Sequence, residues 1–228
     1  MYNFSHILYS HSDYDNVWEV WKHQLDKYLP NSRVHMFVDE FSLQETYPYD
    51  IVLYQDSLQY TDRVISCLDK LTDDEEVVIY QHEDMFLYDM PDIATLNQLA
   101  ELVRVEDVDL IRLVRVVNPL IKFNKHPLLY ENPTNDKYST QPTLLKVKTL
   151  KKIFSQSPNR NVWDFEKHCS STCNDMRSYF CYSNENKRGL IHYNSETYPY
   201  IATAVCKGQW NMEEYPNELT KIFYEMGI

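Results

Sequence analysis

Apolar residues along the first half of the chain follow two periodicities. Short runs rich in β-branched and aromatic residues predict strands, and longer segments whose apolar side chains recur every three or four residues predict helices. The predicted strands span 6–10, 33–38, 50–54, 76–80 and 109–116. The predicted helices span 15–29, 60–71 and 91–103. In the helix at 15–29, Asp13 or Asp15 is the expected cap, and Pro30 marks the end.

The alternation of strands and helices at short spacing predicts a Rossmann-related α/β fold, in which helices cover a mostly parallel central sheet. Ligands of such sheets bind beyond the carboxyl ends of the strands. The segments that follow the predicted strands there are 10–14, 55–60 and 81–87. We therefore expect the functional residues in these three segments.

The second half of the chain is less regular. The pattern predicts a helix at 143–154, another within 162–182 and a terminal helix at 216–226. Strand-like runs occupy 190–194 and 200–205, and 120–133 is either strand or loop. Because no repeat, low-complexity segment or linker interrupts the chain, we expect a single domain over residues 1–228.

Composition narrows the ways in which this chain can bind phosphate. It has only 3 glycines and neither a GxGxxG nor a GxxxxGK[ST] pattern, which argues strongly against a glycine-rich phosphate loop. A bound nucleotide then needs another partner for its phosphates, and a divalent metal is the usual substitute. The formal net charge of -12 argues against nucleic acid as a partner and against docking on an anionic membrane by charge.

The 5 cysteines are odd in number and lack CxxC spacing, which favours free thiols in a reducing compartment over disulfides. A zinc site built from His168, Cys169, Cys173 and Cys181 lacks the paired spacing that such sites show. The first residues carry no basic segment and no long apolar stretch, so we expect no signal peptide, no transmembrane segment and a cytoplasmic protein.

Three polar residues, His82, Glu83 and Asp84, directly follow the apolar strand predicted at 76–80. Carboxylates at that depth are costly unless a cation compensates their desolvation. Mg²⁺ and Mn²⁺ prefer oxygen ligands and are commonly held by one or two carboxylates together with substrate phosphates. The alternative is a surface turn in which two acids happen to follow a strand.

The stretch YQHEDMFL at 80–87 resembles the variant DxD motif of small GT-A glycosyltransferases from bacteria and large DNA viruses. Further similar stretches occur in the order of that family. They are SHSDYDNVWEVWKHQLDKYLP, VDLIRLVRV, YSTQPTLLKVKTLKKIF, NVWDFEKH and YPYIATAVCKGQWN. The triplet HED departs from DxD, because His82 stands where the family has its first acid. The resemblance implies a GT-A-like fold with a nucleotide-sugar half at 1–118 and an acceptor half at 119–228.

Carried over by position, the resemblance makes Asp84 the ligand of Mn²⁺ or Mg²⁺ and Glu83 the second ligand. It assigns Ser10, His11 and Tyr14 to the turn that contacts the nucleotide, where Tyr14 either stacks on the base or packs beside the helix. Arg63 lies one turn into a helix near the strand ends. It either reaches the diphosphate or is a solvated charge.

Inverting transfer needs a carboxylate that takes the proton of the acceptor hydroxyl. Asp164 and Glu166 flank an aromatic residue in WDFE, and an apolar setting raises the pKa of a base. Asp164 is alternatively a helix cap, and a retaining mechanism needs no such base. His192 is either a late metal ligand or a core histidine. Gln141 either binds an acceptor sugar or lies in an ordinary turn.

The function that these features predict is transfer of a sugar from a nucleotide-diphosphate sugar to a glycan or other hydroxyl acceptor. Two alternatives stay open. A metal-dependent nucleotidyltransferase or phosphohydrolase would also use carboxylates, although the former usually has a glycine-rich or basic loop near its N-terminus. A carbohydrate- or protein-binding module on the same sheet would need no catalytic group.

Overall fold

A computed structural model describes residues 2–41, 47–185, 187–188, 192–206 and 208–228. The strands of the main sheet are β1 (Ser5–Tyr9), β2 (Val34–Val38), β3 (Asp50–Leu53), β4 (Val77–His82), β5 (Leu110–Arg112), β6 (Leu129–Glu131), β7 (Thr143–Lys146) and β8 (Ser178–Cys181). The helices are α1 (Asp15–Tyr28), α2 (Tyr60–Leu68), α3 (Ile93–Val105), α4 (Val147–Ser155), α5 (Val162–Thr172) and α6 (Pro216–Met226). Two short ladders pair β9 (Lys187–Arg188) with β10 (His192–Tyr193) and β11 (Val205–Cys206) with β12 (Gln209–Trp210).

The main sheet has the strand order β3-β2-β1-β4-β7-β5-β8-β6. Its strands run parallel except for β7, which is antiparallel to β4 and β5, and β6, which is antiparallel to β8. The predicted sheet, mostly parallel and flanked by helices, is therefore confirmed. Strands from both halves of the chain share this sheet, and the functional division at 118/119 stays a prediction.

The core has one apolar layer on each face of the sheet. Helices α1, α3 and α6 cover one face, and α2, α4 and α5 cover the other. The alternation within the central strands follows from the period of two: Leu8 of β1 faces the first layer, and Ile7 and Tyr9 face the second. Because both faces are covered, the central strands are buried almost throughout, and most of their residues are apolar.

The first helix shows how the pattern produces the fold. Its fully buried Trp18 and Trp21 are separated by three positions, and Leu25 continues the same stripe against the sheet. Burying side chains of this size stabilises the fold by about 2–3 kcal/mol each. The helix ends before Pro30, as predicted. The predicted cap was wrong, because Tyr14 precedes the helix without a side-chain capping bond and Asp15 lies inside the first turn.

Two predictions for the second half were wrong in part. Residues 143–146 are strand β7 rather than the start of a helix, because this short apolar run pairs with both β4 and β5. The segment 200–205 contributes only the bridge of Tyr200 to Leu87 and the first residue of β11. In the predicted strand at 190–194, positions 190 and 191 lie outside the described residues, and 192–193 form β10.

The thiols of all five cysteines are free, and four of them are buried. His168, Cys169, Cys173 and Cys181 do not form a compact set of metal ligands within the described chain. Among the described helices, none has the length and apolar character that crossing a membrane requires.

Candidate functional site

The carboxyl ends of β1 and β4 lie side by side at one edge of the sheet. The two strands are parallel, and Tyr9 at the end of β1 is in register with His82 at the end of β4. The loop that follows β1 therefore lies next to Glu83 and Asp84, which follow β4. The two segments are far apart in the sequence, and the parallel register of β1 and β4 brings them together.

A cavity of about 540 Å³ opens at this edge, large enough for a small-molecule ligand. Its walls come from the ends of β1 and β4, the start of α2 and the start of α5. The lining residues are Tyr9, His11, Asp13, Tyr14, Leu58, Gln59, Tyr60, Arg63, His82, Glu83, Asp84, Asn161, Val162 and Val205. All three segments in which the sequence predicts functional residues contribute to this wall.

Glu83 and Asp84 are half-buried carboxylates without a basic partner. Neither lies within 4.0 Å of a Lys, Arg or His nitrogen in the described part of the chain. Burial raises the pKa of both, and the charge of Asp84 raises the pKa of Glu83 further. The backbone is fixed, because the Ala204 amide donates to the Asp84 carbonyl at 2.9 Å. Two neighbouring acids held in this way are suited to share a divalent cation.

His82 directly precedes the acidic pair, and its ring is held by other side chains of the protein. Its Nε2 lies 3.0 Å from the hydroxyl of Tyr60, which lies 2.9 Å from the hydroxyl of Tyr80. The ring also packs against Tyr9 at 5.3 Å between centroids. Burial lowers the pKa of His82 to about 4, so the imidazole is neutral at pH 7 and adds no positive charge to the cavity.

Arg63 is the only Arg or Lys that lines the described part of this cavity. Its guanidinium donates to the carbonyls of Asp56 and Leu58 and forms an ion pair with the Asp56 carboxylate at 2.6 Å. It also lies 5.3 Å from the ring centroid of Tyr54. These contacts hold the charge at the rim of the cavity, as anion binding at a fixed position requires.

Of the three residues predicted to contact the nucleotide from the loop after β1, two line the cavity and one does not. His11 and Tyr14 line the cavity, and Tyr14 is partly exposed. Ser10 is fully buried and outside the lining, because its hydroxyl accepts a hydrogen bond from Trp18 Nε1 at 2.6 Å and its carbonyl accepts one from Tyr54. The hydroxyl that accepts from Trp18 keeps its own proton to donate.

His11 belongs to a second group of ligand atoms that sequence analysis missed. Its Nε2 lies 3.0 Å from Asp56 Oδ1 and 3.5 Å from Asp39 Oδ2, and these atoms could hold a metal ion. Burial raises the pKa of Asp39, but hydrogen bonds from the amide and hydroxyl of Ser12 outweigh it and lower the pKa. Asp39 and Asp56 follow β2 and β3, and the same strand-end rule that selected Glu83 was the signal for them.

The two predicted bases take different positions on α5. Asn161 caps this helix, since its Oδ1 accepts from the Asp164 amide at 2.9 Å and its Nδ2 donates to the Asp164 carboxylate at 2.7 Å. Asp164 is thus exposed in the first turn beside the cavity and is not the cap residue. Glu166 is half-buried, and its Oε1 accepts from the amide and hydroxyl of Thr140 at 2.9 and 2.7 Å.

Glu166 lines a second, smaller cavity of about 240 Å³. Its walls are formed by Arg112, Val114, Arg115, Val116, Asp136, Ser139, Gln141, Glu166, His192 and Tyr193. The structure therefore does not bring His192 together with Glu83 and Asp84, because β10 carries it to this other cavity. Gln141 lies in the same wall, where its Oε1 accepts from Tyr200 at 2.7 Å.

No protein-family model matches this chain, and no curated protein matches its sequence. Similar solved structures exist at low identity. A 4-diphosphocytidyl-2C-methyl-D-erythritol synthase shares 9% identity over 96% of this chain and 98% of its own, at a TM-score of 0.50. The bifunctional IspDF from Campylobacter jejuni shares 14% over 83% of this chain and 52% of its own, at 0.47.

The glycosyltransferase GlyE of Streptococcus pneumoniae TIGR4 shares 13% identity over 78% of this chain and 45% of its own, at a TM-score of 0.47. This chain thus spans about half the length of IspDF and GlyE. At such identities, the likeness to the synthase shows a common GT-A-like fold. Activity has to be argued from the residues of the site.

Proposed function

We propose that this protein transfers a glycosyl group from a nucleotide-diphosphate sugar to a hydroxyl acceptor, with a divalent cation held by Asp84 and Glu83. The observation that carries this proposal is the pair of half-buried carboxylates in the 540 Å³ cavity, which lack a basic partner among the described residues. A strongly perturbed acidic pair in a cleft is the kind of group that a functional site contains.

The charges of the cavity support a cation there. Asp13, Glu83 and Asp84 are acids, and Arg63 is the only opposing Arg or Lys of the described lining. Without a cation, the raised pKa values of Glu83 and Asp84 favour their protonated forms, and a bound divalent cation would displace those protons. The oxygen donors of Glu83 and Asp84 fit Mg²⁺ or Mn²⁺, whose Lewis acidity would stabilise the diphosphate leaving group. Arg63 lies where it can bind an oxygen of the same diphosphate, and Tyr14 offers an aromatic surface to the base.

The loop after β1 favours glycosyl transfer over nucleotidyl transfer. This segment, SHSDY at 10–14, has no glycine, lysine or arginine. A nucleotidyltransferase needs basic or backbone donors around the phosphate that is attacked. The described loop instead lines the cavity with His11, Asp13 and Tyr14. The acceptor would enter between this cavity and the second one, since α5 lines both.

One carboxylate of α5 takes the proton of the acceptor hydroxyl in this proposal. Asp164 lies in the first turn after the cap residue Asn161, which lines the first cavity, and Glu166, two residues further along, lines the second. The variants Asp164→Asn and Glu166→Gln identify the base of an inverting reaction. Only the loss of the base lowers kcat strongly while donor binding is kept.

Thermal-shift measurements with UDP, GDP and CDP, each with Mn²⁺, Mg²⁺ or chelator, test the donor site. We expect at least one nucleoside diphosphate to raise the Tm of the wild type only in the presence of a divalent cation. Asp84→Asn should abolish that shift and reduce transfer by about a hundredfold or more. The matched control is Glu101→Gln, an exposed acid on α3 that pairs with Arg104.

Nucleotide stabilisation that is equal with chelator, or unchanged in Asp84→Asn, would contradict the metal assignment. Indifference of the wild type to all nucleotides would instead support a binding module. Release of pyrophosphate from a nucleoside triphosphate in the presence of a sugar phosphate would support nucleotidyl transfer.

A further inference from the structure

The second cavity contains a guanidinium that has no acidic partner. Arg115 is half-buried and lines the cavity, and it lies within 4.0 Å of no carboxylate in the described part of the chain. Arg63 and Arg112, by contrast, each form an ion pair. In a chain with a net charge of -12, an arginine without a carboxylate partner is notable, because acids are plentiful.

Neutral groups hold this guanidinium in place. Its nitrogens donate to the Asn118 side chain and to the carbonyls of Val117 and Ser183. The rings of Tyr193 and Tyr182 lie 4.5 and 5.0 Å from its central carbon. Stacking and carbonyl contacts fix the orientation of the planar group but leave its charge uncompensated, and a pre-oriented fork of this kind suits an oxyanion.

The other charges of the cavity are already engaged. Arg112, which is 6% exposed, donates to the Asp136 carboxylate at 3.2 Å and to the Ser139 hydroxyl at 2.6 Å. Glu166 accepts two hydrogen bonds from Thr140 with one oxygen. Arg112 and Asp136 offset each other, and the Thr140 donors partly satisfy Glu166. Of the two arginines in this cavity, Arg115 is therefore the one without a carboxylate partner, and Glu166 has a second oxygen for a hydroxyl.

The position of the cavity separates it from the proposed diphosphate site. Arg112 ends β5, which is the second strand from β4 across β7. Neighbouring strands are about 4.8 Å apart, so the Arg112 end of the cavity is on the order of 10 Å from the end of β4. A group bound there is too far from the acidic pair to be the diphosphate of the same donor.

We propose that this cavity binds an acidic group of the acceptor, a carboxylate or a phosphate, through Arg115, with Glu166 and Gln141 contacting hydroxyls of the same molecule. Identifying the ligand as the acceptor rests on the proposed transferase function. Binding of the acidic group itself needs neither donor nor metal. The acceptor would thus be an acidic sugar or a sugar phosphate rather than a neutral glycan.

Isothermal titration with glucuronate, glucose 6-phosphate and glucose, without nucleotide or metal, tests this inference. We expect at least one acid to bind tenfold or more tightly than glucose, and its affinity to fall as salt rises. The acid that is preferred distinguishes a carboxylate from a phosphate. Arg115→Gln should remove the preference, Arg115→Lys should keep part of it, and Arg104→Gln, an exposed arginine on α3, should leave it unchanged.

Equal affinity of the wild type for all three compounds would overturn the proposal, as would a preference that persists in folded Arg115→Gln. If Arg115→Gln does not fold, the comparison in Arg115→Lys and the salt dependence of the wild type decide the matter. A donor site that fails the nucleotide test while acids still bind through Arg115 would refute the transferase and keep the anion site. The reverse result would refute the anion site alone.

Discussion

The hydroxyl of Tyr60 lies 3.0 Å from Nε2 of His82, so α2 fixes the imidazole that precedes the acidic pair. The same hydroxyl lies 2.9 Å from the hydroxyl of Tyr80. The Tyr60 hydroxyl therefore links Tyr80 and His82 in one hydrogen-bonded chain. His82 thus orients the start of the acidic turn as a neutral ring and is itself oriented from α2. Groups that position metal ligands in this way affect metal affinity without touching the ion.

Tyr60→Phe removes that hydroxyl and leaves two buried polar groups without a partner. We expect the free energy of unfolding to fall by about 1–2 kcal/mol. We also expect the affinity for Mn²⁺ in the presence of nucleotide to fall about tenfold, since His82 loses its fixed orientation. Chemical denaturation and Mn²⁺ titration measure the two effects. Tyr224→Phe, at an exposed position of α6, is the control, and an unchanged Mn²⁺ affinity in Tyr60→Phe would contradict the positioning role.

The raised pKa values of Glu83 and Asp84 give a pH dependence of known sign. A carboxyl whose pKa is higher in the folded state holds its proton there when the unfolded chain has lost it. The metal-free protein therefore loses stability as pH rises above the ordinary carboxyl range of about 4. Glu83→Gln should reduce this loss, and saturating Mn²⁺ should restore stability in the wild type at neutral pH.

Urea unfolding from pH 5 to 8, with and without Mn²⁺, measures that dependence. Glu101→Gln serves again as the control, because its partner Arg104 and its exposure keep it away from the cavity. A metal-free Glu83→Gln protein that is less stable than the wild type at pH 8 would show that ionisation of the acidic pair does not destabilise the fold.

Arg63→Gln tests the charge at the rim of the first cavity. We expect the affinity for the nucleoside diphosphate to fall about tenfold or more, while the affinity for the parent nucleoside changes little, because the guanidinium is proposed to contact phosphate. Arg104→Gln controls for the loss of a positive charge from an acidic protein. Equal losses for nucleoside and diphosphate would assign Arg63 to the shape of the α2 loop, through its bonds to the Asp56 and Leu58 carbonyls.

Local periodicity predicted the parallel half of the sheet because each of its strands is a short apolar run beside an amphipathic helix. It was wrong at 143–146, where Leu144 and Leu145 also fit the apolar stripe of the following helix. Only the distant partners of this segment in β4 and β5 make it a strand. An antiparallel strand inserted between parallel ones depends on contacts that no local window contains.

The same limit applies to the site. Glu83 and Asp84 were identified because they directly follow a buried strand, and the roles of all predicted site residues stay predictions. The separate positions of His192 and Glu166 depend on how β10 and α5 fold back over the sheet. Arg115 belongs to no sequence motif. It is distinguished by the absence of a carboxylate partner in the described structure, which depends on tertiary contacts.

His6 gives a second pH dependence, with the opposite sign and far from the proposed chemistry. It is fully buried in β1, both ring nitrogens lack a hydrogen-bond partner in the described chain, and Phe4 and Trp21 pack against the ring. Burial lowers its pKa from 6.5 to about 3. The unfolded chain therefore binds a proton that the folded chain excludes, and stability falls as pH drops below about 6.5.

This one residue should cost about 2 kcal/mol of unfolding free energy between pH 7.5 and pH 5. His6→Leu removes the titrating group at similar volume. Between pH 7.5 and pH 5, its loss of unfolding free energy should therefore be smaller than that of the wild type by about 2 kcal/mol. Ile7→Val, a core substitution on the same strand, should instead lower stability by about 1 kcal/mol at every pH. Urea unfolding at several pH values separates the two patterns, and parallel pH profiles for wild type and His6→Leu would mean that His6 gains a partner, or access to water, when it is protonated.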